Sequence, residues 1–286
     1  MNLEGRRESS NVEDRRMSTG TMAGLGIGGA IIVGLLTLLF GGDIGDVINN
    51  VQRQGGITNQ TVTEREFTQE EQELASFAKK VLAGTEDVWT AVFQQYGMKY
   101  VPPKMVLYSG VTSSGCGSAN SSVGPFYCSA DQTVYLDLSF FKSMKSQIGA
   151  DGDFAYAYVI AHEVGHHVQN LLGTLGKAHQ QMSRMSKVNS NRMSVRLELQ
   201  ADFYAGVWAY NDNKMYGSLE EGDLMEALNC AAKIGDDYLQ KKSQGYVVED
   251  SFTHGTAQQR LNWLKKGLTT GDIRQGDTFS VSDSNL

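Results

Sequence analysis

The chain has 286 residues, 41% of them hydrophobic and 20% charged, with 32 Gly, 3 Pro and 3 Cys. This mix is too apolar for a disordered protein, its glycines follow no three-residue period, and three cysteines are too few for a disulfide scaffold. A net charge of −7 without a basic tract argues against a nucleic-acid partner.

Residues 1–21 carry Arg6, Arg7, Arg15 and Arg16 and read as a cytoplasmic segment. Residues 22–40 (MAGLGIGGAIIVGLLTLLF) hold no charge. As a helix they would span about 28 Å, close to the hydrocarbon thickness of a bilayer. No convincing cleavage site follows, so the expectation is an uncleaved transmembrane anchor that engages the lipid bilayer. The arginines before the span outnumber Arg53 after it. That bias puts the N-terminus in the cytoplasm and the rest of the chain outside it, on the far face of the cytoplasmic membrane. Gly24-x-Gly26-x-x-Gly29 matches a dinucleotide fingerprint in letters only, because no strand precedes it. Gly24 and Gly28 instead offer a small-xxx-small face for a homo-oligomer. Residues 41–66 are rich in Gly, Asn, Gln and Thr and read as a flexible linker.

The domain is expected at 67–286. Thr68 and Glu71 form a capping box, and apolar residues follow at helical spacing until Gly84, where a break is expected before a second segment at 87–95. Strands are predicted at 104–109 and 134–138, the latter as an edge able to pair with an extended peptide. Helices are predicted near 140–148, 153–172, 178–188, 193–212, 219–242 and 256–267, with a loosely held tail from Thr269. A small sheet with packed helices is an α+β domain. Cys116 and Cys128 lie in a Gly/Ser-rich stretch, and sequence leaves open whether they form a disulfide. Cys230 reads as a buried small side chain.

The chemistry centres on His162-Glu163-Val164-Gly165-His166. Residues four apart share a helix face, so both imidazoles can reach one metal ion. Glu163 is turned by about 100° from His162, which puts it beside that ion as a general base for the bound water. His167 lies a further step round and suggests a structural role. A third ligand is expected from Glu198, with Asp202 holding the far nitrogen of a ligand histidine, although the two carboxylates can exchange roles on sequence grounds. His254, in a polar loop before a helix, is a candidate catalytic donor to the oxyanion, and Arg260 follows it. His179 reads as solvated.

HEVGHHVQ, LELQADFYAGVWA, GPFYCSADQTVYLDLSFF and THGTAQQR together resemble the bacterial putative neutral zinc metallopeptidase family. More distantly, the HExxH and ExxxD pair resembles the gluzincin peptidases. The resemblance implies a zincin-like α+β domain behind one N-terminal transmembrane helix, and zinc-dependent hydrolysis of a peptide or protein substrate. It implies His162, His166 and Glu198 as zinc ligands and Glu163 as base. The rival expectation is a membrane-tethered binding or assembly module with a structural zinc, whose site would be closed by four protein ligands.

Overall fold

The computed structural model describes residues 1–16, 66–120 and 123–286. The apolar run at 22–40 and the linker expectation lie outside these, apart from residue 66. No helix among the described residues is long and apolar enough to cross a membrane.

A mixed sheet of four strands is built from β1 (Val12–Asp14), β2 (Lys104–Tyr108), β5 (Phe126–Cys128) and β6 (Thr133–Asp137), in the order β1-β2-β6-β5. β1–β2 and β2–β6 are parallel, with Val12 opposite Met105 and Leu107 opposite Leu136. β5–β6 is antiparallel, with Tyr127 opposite Val134. A separate hairpin joins β3 (Val111–Ser114) to β4 (Gly117–Asn120). Cys116 in its turn is disulfide-bonded to Cys128 on β5 across 5.8 Å between Cα atoms, so the pairing that sequence left open is present.

Two expectations about the sheet are corrected. β6 is flanked on both sides by β2 and β5, so the edge next to the helices is β5 and not the 134–138 strand. Residues 1–16 belong to the domain and are not a detached segment. β1 completes the sheet, and Met1 and Leu3 are buried in the main core. A three-residue polar strand, Val-Glu-Asp, shows no alternation, and its pairing partner lies some ninety residues away.

The helices cover the sheet. α1 (Gln69–Gln95) begins at the Thr68/Glu71 capping box and runs unbroken through Gly84. After β6 come α2 (Ser139–Ser143), a π-helical turn at Met144–Ile148, α3 (Asp153–Leu171) and α4 (Thr174–Met182). α5 (Lys187–Tyr216) is the longest, and α6 (Asp223–Lys233), α7 (Asp236–Gln244) and α8 (Ala257–Thr270) follow. The helix expected at 219–242 is two helices broken at Gly235, where an added Cβ would fall 2.3 Å from the Ala257 nitrogen. Trp89, Trp208, Phe154, Phe203 and Tyr158 fill the core between α1, α3 and α5.

The tail is also held more firmly than expected. Arg196 on α5 donates to the carbonyls of Thr278 and Val281 and pairs with Asp283, while Thr278 returns a hydrogen bond to the Arg196 carbonyl at 2.7 Å. A polar composition signals exposure only when no partner is waiting, and here one arginine satisfies several tail groups.

Candidate metal centre

α3 is apolar on almost every face, from Phe154 and Ala155 to Val164 and Val168, because it is sandwiched among sheet and helices. Its neighbour α5 is mostly buried from Leu197 to Ala209. The two helices touch at Gly165, where a Cβ would meet the Ala201 carbonyl oxygen at 2.9 Å and the Ala201 Cα at 3.1 Å. Any side chain there would push the helices apart. Glycine thus sets the spacing that lets groups on α3 reach groups on α5.

Across that contact His162, His166 and Glu198 converge. One potential ligand atom from each lies within 4.8 Å of the others. His162 Nε2 is 3.1 Å from Glu198 Oε2, and His166 Nε2 is 3.5 Å from Glu198 Oε1. Each ring is oriented from behind. His162 Nδ1 lies 2.8 Å from Asp202 Oδ1, an acceptor, so Nδ1 carries the proton. His166 Nδ1 lies 2.9 Å from Gln169 Oε1. The Gln169 amide nitrogen donates to the Leu197 carbonyl at 2.7 Å and to Gln200 Oε1 at 3.1 Å, which fixes its oxygen toward His166. Gln200 donates in turn to the Gly276 carbonyl at 2.7 Å. Both Nε2 lone pairs therefore face a carboxylate with no proton between them when the rings are neutral.

That donor set suits a divalent metal ion. Two neutral imidazoles and one carboxylate are zinc ligands, and each ring has the outer hydrogen bond that ligand histidines ordinarily possess. Among the described residues the group contains three members and no fourth. The other acidic group that could hold a cation, Asp153, Asp223 and Glu226, already faces the Met1 amino group, at 2.8 Å from Asp153 and 3.0 Å from Asp223.

Electrostatics agree with the geometry. Burial alone would lower the His162 imidazole, but Asp202 and Glu198 outweigh it and hold it up at about 10. Burial opposes charge on His166 as well, and Glu198 again wins and raises it. Burial would raise Glu198, yet the charges of His166 and His254 and hydrogen bonds from His162 and His166 hold it well below the usual carboxylate range. Metal-free protein thus carries a proton on His162 that must leave before a cation binds, and zinc uptake at neutral pH is expected to release it. Calorimetric titration in buffers of different ionisation heat reads that release.

Glu163 sits beside the cluster in a cavity of about 390 Å³. Burial raises its pKa, opposed by the charges of His162 and His166, and the Tyr127 backbone N–H on the β5 edge donates to its carboxylate. The cavity is walled by Val123, Phe126, Phe140, Val159, Leu197 and Leu239, with His179 on the exposed rim.

Asp202 is fully buried and does more than hold His162. Arg260 Nε donates to its Oδ2 at 2.9 Å, Arg260 Nη2 reaches Oδ1 at 3.0 Å, and the Tyr158 hydroxyl donates at 2.5 Å. His254 lines the same cavity, and Asp236 anchors its loop. Asp236 Oδ2 accepts the backbone N–H groups of Thr253, His254 and Gly255 at 2.8, 2.7 and 3.0 Å, and Oδ1 lies 3.3 Å from His254 Nδ1. His167 is buried away from the cluster, between the Tyr127 hydroxyl at 2.9 Å and the Val101 carbonyl at 2.7 Å. Cys230 is a buried free thiol.

Sequence reasoning missed Gln169, Gln200 and Asp236. Gln169 stands three residues after His166, on the helix face adjacent to it, and that spacing is the one signal that was readable. Gln169→Leu is expected to weaken zinc binding by about 10–100-fold, as loss of outer-shell partners generally does, measured by competition with a chromophoric chelator.

Comparison with known proteins places these residues in a family. The chain is 50% identical over 294 aligned residues to the uncharacterized protein YpfJ of Escherichia coli K12, covering 99% of this chain and all of that one. It is 45% identical over 194 residues to the uncharacterized protein Rv2575 of Mycobacterium tuberculosis H37Rv, covering 64% of each. No solved structure matches it. The family model described as putative neutral zinc metallopeptidase matches residues 1–279, and the chain belongs to that family.

Proposed function

We propose that this protein is a zinc-dependent metalloendopeptidase, with His162, His166 and Glu198 holding the metal and Glu163 acting as general base. The observation that carries the reading is the open three-ligand site: two imidazole Nε2 atoms and a carboxylate converge beside a buried glutamate at a cavity. A structural zinc would require a fourth protein ligand, and none joins the group among the described residues.

Zinc held there supplies Lewis acidity and lowers the pKa of a coordinated water to about 7. The rest of the chemistry belongs to the chain. Glu163, made more basic by burial, takes a proton from water and passes it to the leaving amine. Asp202 and Gln169 keep both imidazoles in the tautomer that leaves Nε2 free. His254, held by the Asp236 loop and with its pKa raised against burial by Glu198 and Asp236, donates to the carbonyl oxygen as negative charge grows on it. The mostly apolar walls favour a substrate that places a hydrophobic side chain in the cavity. In this reading the uncharged run at 22–40 holds the enzyme at a membrane.

The test is hydrolysis of an unstructured protein such as casein by the purified full-length chain, followed as new amino termini. Cleavage that stops with a zinc chelator and returns with added zinc supports the reading. Cleavage indifferent to the chelator, or none from fully zinc-loaded protein across varied peptide substrates, contradicts it.

A further inference from the structure

The arginines that suggest an N-terminus on the cytoplasmic face are, in the folded protein, bound by the domain. Arg6 pairs with Asp212 on α5 at 2.9 Å and stacks over the Tyr216 ring at 3.7 Å from its centroid. Asp212 is fully buried, and the ion pair lies against the backbone of α1 at Gly84. An added Cβ at Gly84 would fall 2.9 Å from both Arg6 Nη2 and Asp212 Oδ1. The missing side chain in the middle of α1 therefore makes a slot for this pair. Arg7 reaches Glu86 at 3.0 Å and Asp87 at 2.6 Å, while Ser9 and Asn11 donate to Glu86 Oε1 at 2.5 and 2.8 Å.

Next in the chain, β1 is in register with β2 over three residue pairs. Arg16 then donates to the Glu71 carbonyl at 2.8 Å, and its guanidinium lies 4.1 Å from the centroid of the Phe67 ring. Arg16 and Phe67 are thus side by side. Taking the first segment away would leave Asp212 buried without its cation, which disfavours the undocked state.

We propose that residues 1–16 and the domain lie in one compartment, on the same side of any membrane the protein meets. A segment that crosses a bilayer once puts its two ends on opposite sides. Ends joined by a strand ladder and a buried ion pair cannot be so divided. That placement is incompatible with the N-terminus and the domain on opposite faces, as the arginine bias alone suggests. The arginine count misleads because their charges are already matched within the protein. This inference does not depend on the peptidase reading.

The experiment uses the full-length protein with single reporter cysteines, Glu4→Cys or Glu249→Cys, both at exposed positions. Background is low because Cys116 and Cys128 are bonded and Cys230 is buried. A membrane-impermeant maleimide is applied to intact spheroplasts of a bacterial host and to lysed ones. The same labelling at both positions is expected, either both in intact cells or both only after lysis, with a ratio near one. Labelling of one in intact cells while the other waits for lysis would overturn the proposal.

Discussion

Glu163→Gln is expected to lower kcat for peptide hydrolysis by about 10²–10⁴-fold, the range that a positioned acid–base group supplies. The amide fills the same space but cannot accept a proton. Its zinc content should match the parent, because Glu163 stands outside the group formed by His162, His166 and Glu198. Initial rates and metal analysis on the same preparation check both halves. A variant that retains zinc and full activity would remove Glu163 from the reaction.

The largest structural effect is expected at Asp202. Asp202→Ala removes the partner of Arg260, which is only 3% exposed, together with the acceptors for Tyr158 and His162. Breaking a buried pair by deleting one partner typically costs about 3–5 kcal/mol, because an uncompensated charge stays inside. The same substitution frees the His162 ring and should reduce zinc affinity by about 10–100-fold. Urea unfolding of the metal-free proteins isolates the first effect, and zinc competition on whatever folds isolates the second. If Asp202→Ala unfolds outright, Asp202→Asn keeps the shape and one acceptor oxygen, and should show the loss in milder form. Parental stability in both variants would contradict this account of the buried network.

How much of this was legible in the sequence follows from which interactions are local. His162 and His166 announce themselves because a helical period of four is a geometric statement, and α3 is indeed a helix over both. Glu198 and Asp202 stand out as two carboxylates in an apolar stretch that could not bury them without partners. Gln169 and Gln200 gave no such signal. An amide is unremarkable on any helix, and its role here depends on carbonyls at Leu197 and Gly276 that only the fold brings near. Asp236 was hidden in the same way, since it caps a loop at 253–255 that follows it by almost twenty residues.

The fold shows a similar division. The strand near 134–138 was readable from alternation, but its place inside the sheet was not, because strand order is a long-range property. Gly84 looked like a helix break and is a docking slot, while Gly235 is a break where none was expected. A glycine allows both uses, and the neighbour that decides between them is distant in sequence: Arg6 in one case, Ala257 in the other. The N-terminal segment, read as outside the domain, and the tail, read as loosely held within it, are both pinned by charged groups matched far along the chain.

The central claim is that His162, His166 and Glu198 form a three-ligand zinc site. It is tested most directly by the metal content of the full-length protein beside its Glu198→Ala variant, each loaded with zinc, desalted and checked for folding by circular dichroism. The account predicts about one zinc per chain in the parent and a folded variant that has lost most of it. A folded parent that retains no zinc, or a variant that holds it as tightly as the parent, would contradict the account.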